Sequence, residues 1–419
     1  MASLYCKIFN ADYFKVFGLD QVIETRGIIM RVIFHIDLNA FYVSCELIKH
    51  PELKGMPVVI AHDSKRSVVS TASYEARKLG IHSAMPLYMA KSKCQNLVII
   101  EPHFDYYHEL SHKFFTIIKK YSPYLEIASI DEGYLDLSER ITKTHEQPYG
   151  IALAIQKEVY ETLGLSCSIG ISPNKFLSKM ASDMKKPMGI TILTQSNIRQ
   201  ILWPMDVGEM FGIGKKTAAK LKEVGIMTIG DVANRDNYTL LKQVMGNNAL
   251  IFFHEANGRD DRKVHYEERQ AKSISNSETF ENDLEGIDEI AEAFKNIADC
   301  VSKRAKKSAM VTNNIAITLK FDLVHAITRQ MPLEHYTNNS EDIYSYALML
   351  LRNVYNGERV RLIGISLNDV KPQNEVKEQI SLFDRIEAPQ EDNVEQLIKF
   401  FNKENLGLMK ASDLLQKNS

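Results

Sequence analysis

Ser129-Ile130-Asp131-Glu132-Gly133-Tyr134-Leu135-Asp136 sets two adjacent carboxylates inside an otherwise strand-like run over residues 125–137. Neighbouring side chains of an ideal strand point to opposite faces. Asp131 and Glu132 therefore serve one site only if the chain turns or bulges between them. An acidic pair at such a turn, joined by a third carboxylate from elsewhere, is how a protein holds hard divalent cations through oxygen ligands. A solvated turn between two strands, where Asp is common, is the plain alternative.

Upstream, Arg31-Val-Ile-Phe-His-Ile36 is a short apolar run of β-branched and aromatic residues, which reads as a buried strand. It stops at Asp37, and residues 38–47 have a helical pattern. A carboxylate between a core strand and a helix start is a common place for a ligand-binding group. Asp37 or Asn39 acting only as a helix cap gives the same pattern. Two short strands (57–61 and 67–71) and a short helix over 72–80, closed by glycine, follow. Tyr74 and Arg77 lie three apart and share a helix face. A phenol beside a guanidinium suits a phosphate, though an ordinary exposed pair has the same spacing. Residues 86–94 and 103–121 are helical in pattern and lead into the acidic hairpin. Beyond it come a helix over 149–163, a strand over 166–171 and a helix over 175–183. Lys175, Lys179, Lys185 and Lys186 make this last region cationic, with a charged helix face in water as the default reading.

The full chain sets the outer limits. Its 419 residues are enough for roughly two to four domains and an ample core. Hydrophobic content of 45% and charged content of 25% are those of an ordinary soluble globular protein. A net charge of -2 argues against a uniformly basic nucleic-acid coat and leaves room for local patches. Five scattered cysteines without a CxxC pair point to reduced thiols of a cytoplasmic protein, not to a disulfide frame or a zinc site. No apolar run is long enough for a bilayer and no secretory signal opens the chain, so no membrane partner is expected. Residues 1–29 lack a clear period and read as a peripheral extension or a start called too early.

Further on, Gly212-Ile213-Gly214, within residues 206–221, reads as the turn of a helix-hairpin-helix. Its glycines would let backbone N–H groups approach a DNA phosphate at a helix start, with Lys215, Lys216 and Lys220 adding charge. A helical hairpin with exposed lysines is the alternative. Residues 259–271 are densely charged and aperiodic, which is linker chemistry. The order strand (272–280), helix (287–307), strand (313–321), strand (325–333), helix (341–355), strand (361–370) is a β-α-β-β-α-β arrangement. That fold carries no function by itself. Lys303, Arg304, Lys306 and Lys307 either approach phosphates or simply complement a helix carboxyl terminus. In the polar tail, Gln379-Ile-Ser-Leu-Phe-Asp384 is followed by a further apolar cluster at Leu397, Ile398, Phe400 and Phe401.

Taken together, Phe34-His-Ile-Asp-Leu-Asn-Ala-Phe-Tyr42, Ser73-Tyr-Glu-Ala-Arg77, Ser129-Ile-Asp-Glu132, Gly170-Ile-Ser-Pro-Asn-Lys175 and Asp183-Met-Lys-Lys-Pro187 resemble the Y-family DNA polymerases. The likeness is strongest to the bacterial DNA polymerase IV branch and runs from residue 30 to about 370. The resemblance implies an α+β multidomain fold. It would comprise a palm with a ferredoxin-like βαββαβ core (30–200), small α/β fingers inserted at about 50–105, a helical thumb with the helix-hairpin-helix (201–258), a linker (259–271), a ferredoxin-like little finger (272–371) and a tail (372–419). It implies a template-directed, low-fidelity DNA polymerase of translesion synthesis and repair, without a proofreading exonuclease. By the same likeness Asp37, Asp131 and Glu132, with the backbone carbonyl of Leu38, would hold two Mg2+ ions. Tyr74, Arg77 and Lys186 would bind the triphosphate of a dNTP. Tyr42, supported by Phe41, would be the steric gate against ribose, and Gly212, Gly214, Lys215 and Lys216 would meet primer-template DNA. Gln379, Leu382 and Phe383 resemble the peptide that docks bacterial polymerases on the sliding clamp, two apolar side chains filling a groove while Gln makes polar contacts. The implied protein is a monomer.

Two positions depart from the family pattern, Asn39 where a second acid is usual and Gly133 where a slightly larger residue is usual. Small residues at Val68 and Ser70 suit a roomy roof over the nucleotide. The rival readings are a palm-fold nucleotidyl cyclase and a catalytically silent DNA-binding scaffold. The helix-hairpin-helix and clamp-like tail disfavour the first, and the intact acidic triad disfavours the second.

Overall fold

The computed structural model describes residues 31–267 and 270–376. The extension at 1–29, the docking peptide with Gln379, Leu382 and Phe383, and the apolar cluster near residue 400 lie outside the described residues. The chain divides into two compact units, Met1–Gln270 and Ala271–Ser419.

The first unit is built on β1 (Ile33–Leu38), followed by α1 (Phe41–Lys49), β2 (Val58–Ile60), β3 (Thr71–Ala72), α2 (Tyr74–Lys78), α3 (Leu87–Lys93), β4 (Val98–Ile100) and α4 (Phe104–Lys119). The hairpin β5 (Leu125–Ile127) and β6 (Glu132–Asp136) comes next, then α5 (Ser138–Thr144), α6 (Pro148–Leu163), β7 (Cys167–Ser172), α7 (Lys175–Met184) and β8 (Ile190–Ile192). The sheet order is β5-β6-β1-β7-β8, with β1 antiparallel to both neighbours and β8 parallel to β7. β1 thus lies at the centre and every one of its residues is buried.

The two faces of this sheet differ in chemistry, as a period of two requires. Phe34, Ile36, Leu38, Leu135, Cys167, Ile169 and Ile171 share a core with Tyr107, Leu110, Phe114 and Ile118 of α4 and with Ile151, Ile155 and Val159 of α6. Each such side chain contributes about 1.5–3 kcal/mol by leaving water, so this face holds the sheet together. The alternate residues of β1 and β6, His35, Asp37, Glu132 and Tyr134, fall on the other face and meet α7. That face is where polar groups collect. Helix α7 starts at Asn174, whose side chain accepts from the Leu177 N–H, and its residues 175–182 are all buried. Lys175 and Lys179 are therefore not a charged face in water. Lys175 pairs with Glu126 at 2.6 Å and Lys179 with Glu132 at 2.6 Å.

A small sheet, β3-β2-β4, follows from the insertion after α1. The expected strand at 67–71 is reduced to Thr71–Ala72, and Val68 makes only an isolated bridge to Pro86. On the other flank, Phe176, Leu177, Met180 and Ala181 of α7 share a core with the helices that follow, through Leu202, Val207, Leu221, Ile229, Val232 and Leu241. Helix α7 is thus common to the sheet and to the helical segment. The charged stretch after that segment is held against the same unit. Asn174 Nδ2 donates to Gly258 O, Phe176 N to Asp260 Oδ2 and His265 N to Glu126 Oε2, while Val264 packs with Ile33 and Tyr134. Charge density alone suggested a loose linker. Here the charges are spent on specific pairs, Arg262 with Asp260 and Glu255.

Among the described residues the second unit is a five-stranded antiparallel sheet with two helices, its short last strand Lys371–Pro372 pairing with Met310–Lys320. A long helix, Ile287–Lys307, buries Ile290, Phe294, Ile297, Val301 and Ala305, spaced to form one stripe. Its first turn is acidic and its last basic, which complements the helix dipole. The strand after that pair of helices, Val360–Asn368, inserts between Ser273–Leu284 and Met310–Lys320, and Ala326–Thr337 takes the edge. The connections are those of a split βαβ arrangement. Arg304 uses its guanidinium on Ser275 O at 2.6 Å. Among the described residues no helix is long and apolar enough to cross a membrane.

Candidate active site

Strand β1 carries Asp37 directly opposite Glu132 of β6 and Ser168 of β7. The chain then leaves the sheet through Asn39 and Ala40, the latter at φ 45, before α1 begins. Ala40 is the cap residue and has no side-chain hydrogen bond, so neither Asp37 nor Asn39 caps α1. Asn39 is buried, donates from Nδ2 to Ser168 Oγ at 2.9 Å, and accepts from the Met188 N–H at 2.9 Å. Its amide thus ties the segment following Lys186 to the centre of the sheet. An aspartate would keep the acceptor and lose the donor.

The acidic pair is opened by a tight turn. The N–H groups of Ala128 and Ser129 both reach Glu132 O, at 3.0 and 3.1 Å, and Asp131 O accepts from the Leu38 N–H at 2.9 Å. Ser129 Oγ donates to Asp131 Oδ1 at 2.6 Å. Asp131 therefore belongs to the turn and Glu132 to the strand. Gly133 faces the apolar side of the sheet, where a Cβ would stand 3.0 Å from Glu126 O and 3.1 Å from Phe115 Cε1. Its small size answers to close packing beneath the turn.

Cationic groups from α7 and just beyond compensate these acids. Lys186 Nζ lies 2.7 Å from Asp37 Oδ2 and 2.8 Å from Asp183 Oδ1. Lys179 Nζ lies 2.6 Å from Glu132 Oε2 and 3.4 Å from Asp37 Oδ2. Burial pushes the Asp37 carboxyl up to about 6, against the pull of Lys186 and Lys179. Burial also acts on Glu132, but hydrogen bonds from His35 and Lys179 outweigh it and hold that carboxyl below its usual range. Lys179 and Lys186 are both raised, because Asp183 and Asp37 outweigh the burial that would lower them. His35 is fully buried, with Nδ1 2.8 Å from Ser182 Oγ and Nε2 3.5 Å from Glu132 Oε2, and burial lowers its pKa. His35, Asp37 and Glu132 offer ligand atoms within 4.8 Å of one another. Sequence reasoning gave His35 no role and read Lys179 only as part of a charged helix face, since a histidine inside an apolar run and a lysine on a helix carry no distinguishing local signal.

Above these groups is a pocket of about 330 Å³ lined by Asp37, Leu38, Phe41, Tyr42, Tyr74, Arg77, Asp131 and Lys186, with Ser70 and Thr71 from the small sheet. Glu132 is not in its lining and faces Lys179 and His35 below. The Arg77 guanidinium lies 5.0 Å from the Tyr74 ring centroid, and its Nε donates to Ala72 O at 3.0 Å. The Tyr42 ring stacks on Tyr107 at 4.6 Å and 17°, and the Tyr107 hydroxyl is fixed by the buried Glu46 at 2.7 Å. Phe41 is buried under the same cluster.

Three family models match the chain: the impB/mucB/samB family over residues 36–183, the IMS family HHH motif over 196–226, and the impB/mucB/samB C-terminal domain over 271–382. DNA polymerase IV of Oceanobacillus iheyensis is 40% identical, over 84% of this chain and 84% of its own. DNA polymerase IV 1 of Bacillus subtilis is 39% identical over 89% of this chain and 90% of its own. The chain belongs to the Y family of DNA polymerases. A Y-family DNA polymerase chimera of Dbh and Dpo4 has a solved structure similar to this one, with a TM-score of 0.73 and 25% identity over 81% of this chain and 99% of the other.

The HHH motif of this Y-family member differs in detail from a hairpin of two equal helices. Before the turn stands only the 3-10 segment Val207–Glu209, and after it the helix Lys215–Glu223 with Gly214 as its cap. Gly212 has φ 90 and a Cβ there would press on the Phe252 ring at 3.1 Å, so both conformation and space call for glycine. Gly214 has open space around its Cβ position, and Lys215 and Lys216 are exposed beside it. An unhindered backbone at a helix start is what approach of a phosphate requires.

Proposed function

We propose that this chain is a template-directed DNA polymerase of low fidelity, active in translesion synthesis, which extends a primer by two-metal phosphoryl transfer without an exonuclease of its own. The reading is carried by one observation: Asp37 and Tyr42, Tyr74 and Arg77, Asp131, and Lys186, from four separate places in the sequence, converge on a single pocket. The donor set suits hard cations. Carboxylates of Asp37, Asp131 and Glu132 and the carbonyl of Leu38 are oxygen ligands of the kind that Mg2+ takes. Two Mg2+ ions would lower the pKa of the primer 3′-hydroxyl and neutralise charge on the transferring and leaving phosphates.

The remaining steps fall to side chains of this chain. Asp37 and Asp131 hold the acidic floor of the pocket from two different elements, so the reacting groups are positioned from both sides. Arg77, with its orientation set by Ala72 O, and Lys186, tethered beside the segment anchored by Asn39, present cations to a triphosphate, and Tyr74 adds a hydroxyl. The test is extension of a primed template with dNTPs and Mg2+. A cyclase would instead consume a nucleoside triphosphate without a primer, and a scaffold would consume none.

Tyr42 is the sugar gate in this reading, and the stacked Tyr107 denies it an easy retreat. Tyr42→Ala is expected to relax discrimination between a dNTP and the matching ribonucleotide by about 10²-fold, with dNTP incorporation largely retained. Single-nucleotide kcat/KM with each sugar measures it, and unchanged selectivity removes Tyr42 from this role. Gln379, Leu382 and Phe383 form the docking peptide for a sliding clamp, and the polymerase works as a monomer. Leu382→Ala with Phe383→Ala should abolish stimulation by the clamp, because two apolar anchors at about 2 kcal/mol or more each are lost. Distributive extension on bare primer-template should be unchanged. Undiminished stimulation would dismiss the peptide.

A further inference from the structure

We propose that the Lys179 ammonium is the resident counter-ion of the cation site, and that a divalent cation enters by displacing it from Glu132 toward Asp183. The inference rests on reading Asp37, Asp131 and Glu132 as cation ligands. The resemblance gives Lys179 no role, whereas Lys186 already has one on the triphosphate. Lys179 Nζ stands between the two strand carboxylates, 2.6 Å from Glu132 Oε2 and 3.4 Å from Asp37 Oδ2. It is buried, one of the residues by which α7 faces the sheet, so its placement is set by the fold and not by a wandering surface chain.

The geometry sets the two occupants in competition. A small divalent cation needs oxygen ligands at about 2.1 Å. Lys179 already holds Glu132 Oε2, and His35 Nε2 lies 3.5 Å from the same oxygen, so a cation that took this oxygen would meet both groups. A divalent cation on that oxygen would stand close to the Lys179 ammonium, and the repulsion between the two favours exchange of one for the other. The ammonium has an alternative. Asp183 lies one helical turn further along α7, 3.4 Å from Lys179 Nζ, with a half-exposed side chain. A small rotation about the lysine stem transfers the ammonium from one carboxylate to the other without breaking α7.

Two consequences follow for this chain. Before a cation arrives, Lys179 holds Asp37 and Glu132 together despite their like charge. It also sets the free site at a lower cation affinity than its carboxylates alone would give, so that tight cation binding awaits the negative oxygens of a bound triphosphate.

The experiment is a Mn2+ titration of the full-length protein without DNA or nucleotide, followed by electron paramagnetic resonance of free Mn2+. Lys179→Met should bind Mn2+ about 10-fold more tightly than the parent, as expected on removing a competing charge at contact distance. Lys179→Gln, shorter and polar, should shift in the same direction and serves if the first variant folds poorly. Asp183→Asn should bind several-fold more weakly, because the ammonium loses its alternative anionic partner. Without metal, Lys179→Met should melt at lower temperature than the parent, and saturating Mn2+ should raise its Tm more than it raises the parent's. Unchanged or weaker Mn2+ binding by both Lys179 variants overturns the proposal, as does tighter binding by Asp183→Asn. Asp37→Asn separates the two levels of the argument. If it leaves Mn2+ binding intact, the cation-site reading itself fails. If it removes binding while the Lys179 variants do not tighten it, only the counter-ion inference fails.

Discussion

Asp37→Asn is expected to lower the rate of primer extension by at least about 10³-fold, given that removal of one preorganised electrostatic group already costs about 10²–10³ in other active sites. Primer-template affinity should change by no more than about threefold, because the DNA contacts of this reading are sequence-independent contacts to phosphate. The substitution is nearly isosteric and removes only charge. Lys186 keeps Asp183 at 2.8 Å and Lys179 keeps Glu132 at 2.6 Å, so neither lysine is left buried without a partner. Stability even turns in the variant's favour. Burial raises the Asp37 carboxyl from 3.8 to about 6, so between those values the folded chain binds that proton more tightly than the unfolded chain. Stability from this group is complete below the unfolded pKa and falls as pH rises through the folded one. Without added metal, the Tm of Asp37→Asn should match the parent near the low end of that window and equal or exceed it at neutral pH. Single-turnover extension, DNA anisotropy and a melting series against pH test the three parts. Extension within about tenfold of the parent would remove Asp37 from the chemistry.

The parts of this fold that were legible in the sequence are those with strong local period. The run ending at Asp37 is buried throughout because β1 is central and covered on both faces, and a strand made mostly of β-branched and aromatic residues reads clearly. The acids at 131 and 132 interrupt their strand because the chain does turn there. Tyr74 and Arg77 share a helix face and meet at one pocket with Asp37 and Lys186. The β-α-β-β-α-β order of the second unit followed from period alone, while its sheet order depends on long-range pairing that no local pattern encodes. What stayed hidden depends on partners far away in the chain. The lysines of α7 looked like a solvated face, and only the sheet beneath makes Lys175 and Lys179 buried counter-ions. Residues 259–265 had the composition of a loose linker, yet Phe176 and Glu126 hold the Asp260 side chain and the His265 backbone in place. Strands of two or three residues, such as Thr71–Ala72, Val98–Ile100 and Ile190–Ile192, are too short to show a period at all. Asn39 was visible as a departure, but its meaning lies in Ser168 and Met188, neither of them near it in sequence.

Gly170→Ala is expected to damage the fold more than any change at the acids. Gly170 pairs with His35 of β1 in the middle of the sheet, on the face that α7 covers. A Cβ at this position would stand 1.9 Å from Ser178 O, 2.5 Å from Ser182 N and 2.9 Å from Ala181 Cβ. The first two are backbone atoms of a helix, which no rotamer change can move aside. The requirement is for space, since Gly170 is not among the residues of positive φ. Helix α7 must then lift from the sheet. Doing so pulls Ser182 from His35 and Lys179 from Glu132, and it opens the apolar contacts that α7 shares with the helices beyond. Overpacking in a core costs about 1–3 kcal/mol when side chains can yield; here the backbone must yield, and the loss should exceed that range. At about 2–4 °C of Tm per kcal/mol for a unit of this size, a fall of about 10 °C or failure to accumulate as soluble protein is expected. Gly150 supplies the contrast, since it lies in α6 with nothing within 4 Å of its Cβ position. Gly150→Ala should be neutral or stabilise by up to about 1 kcal/mol. Equal melting temperatures for the two variants would mean that α7 does not depend on its close approach to β7, and the geometry that brings its lysines to the carboxylates would need another cause.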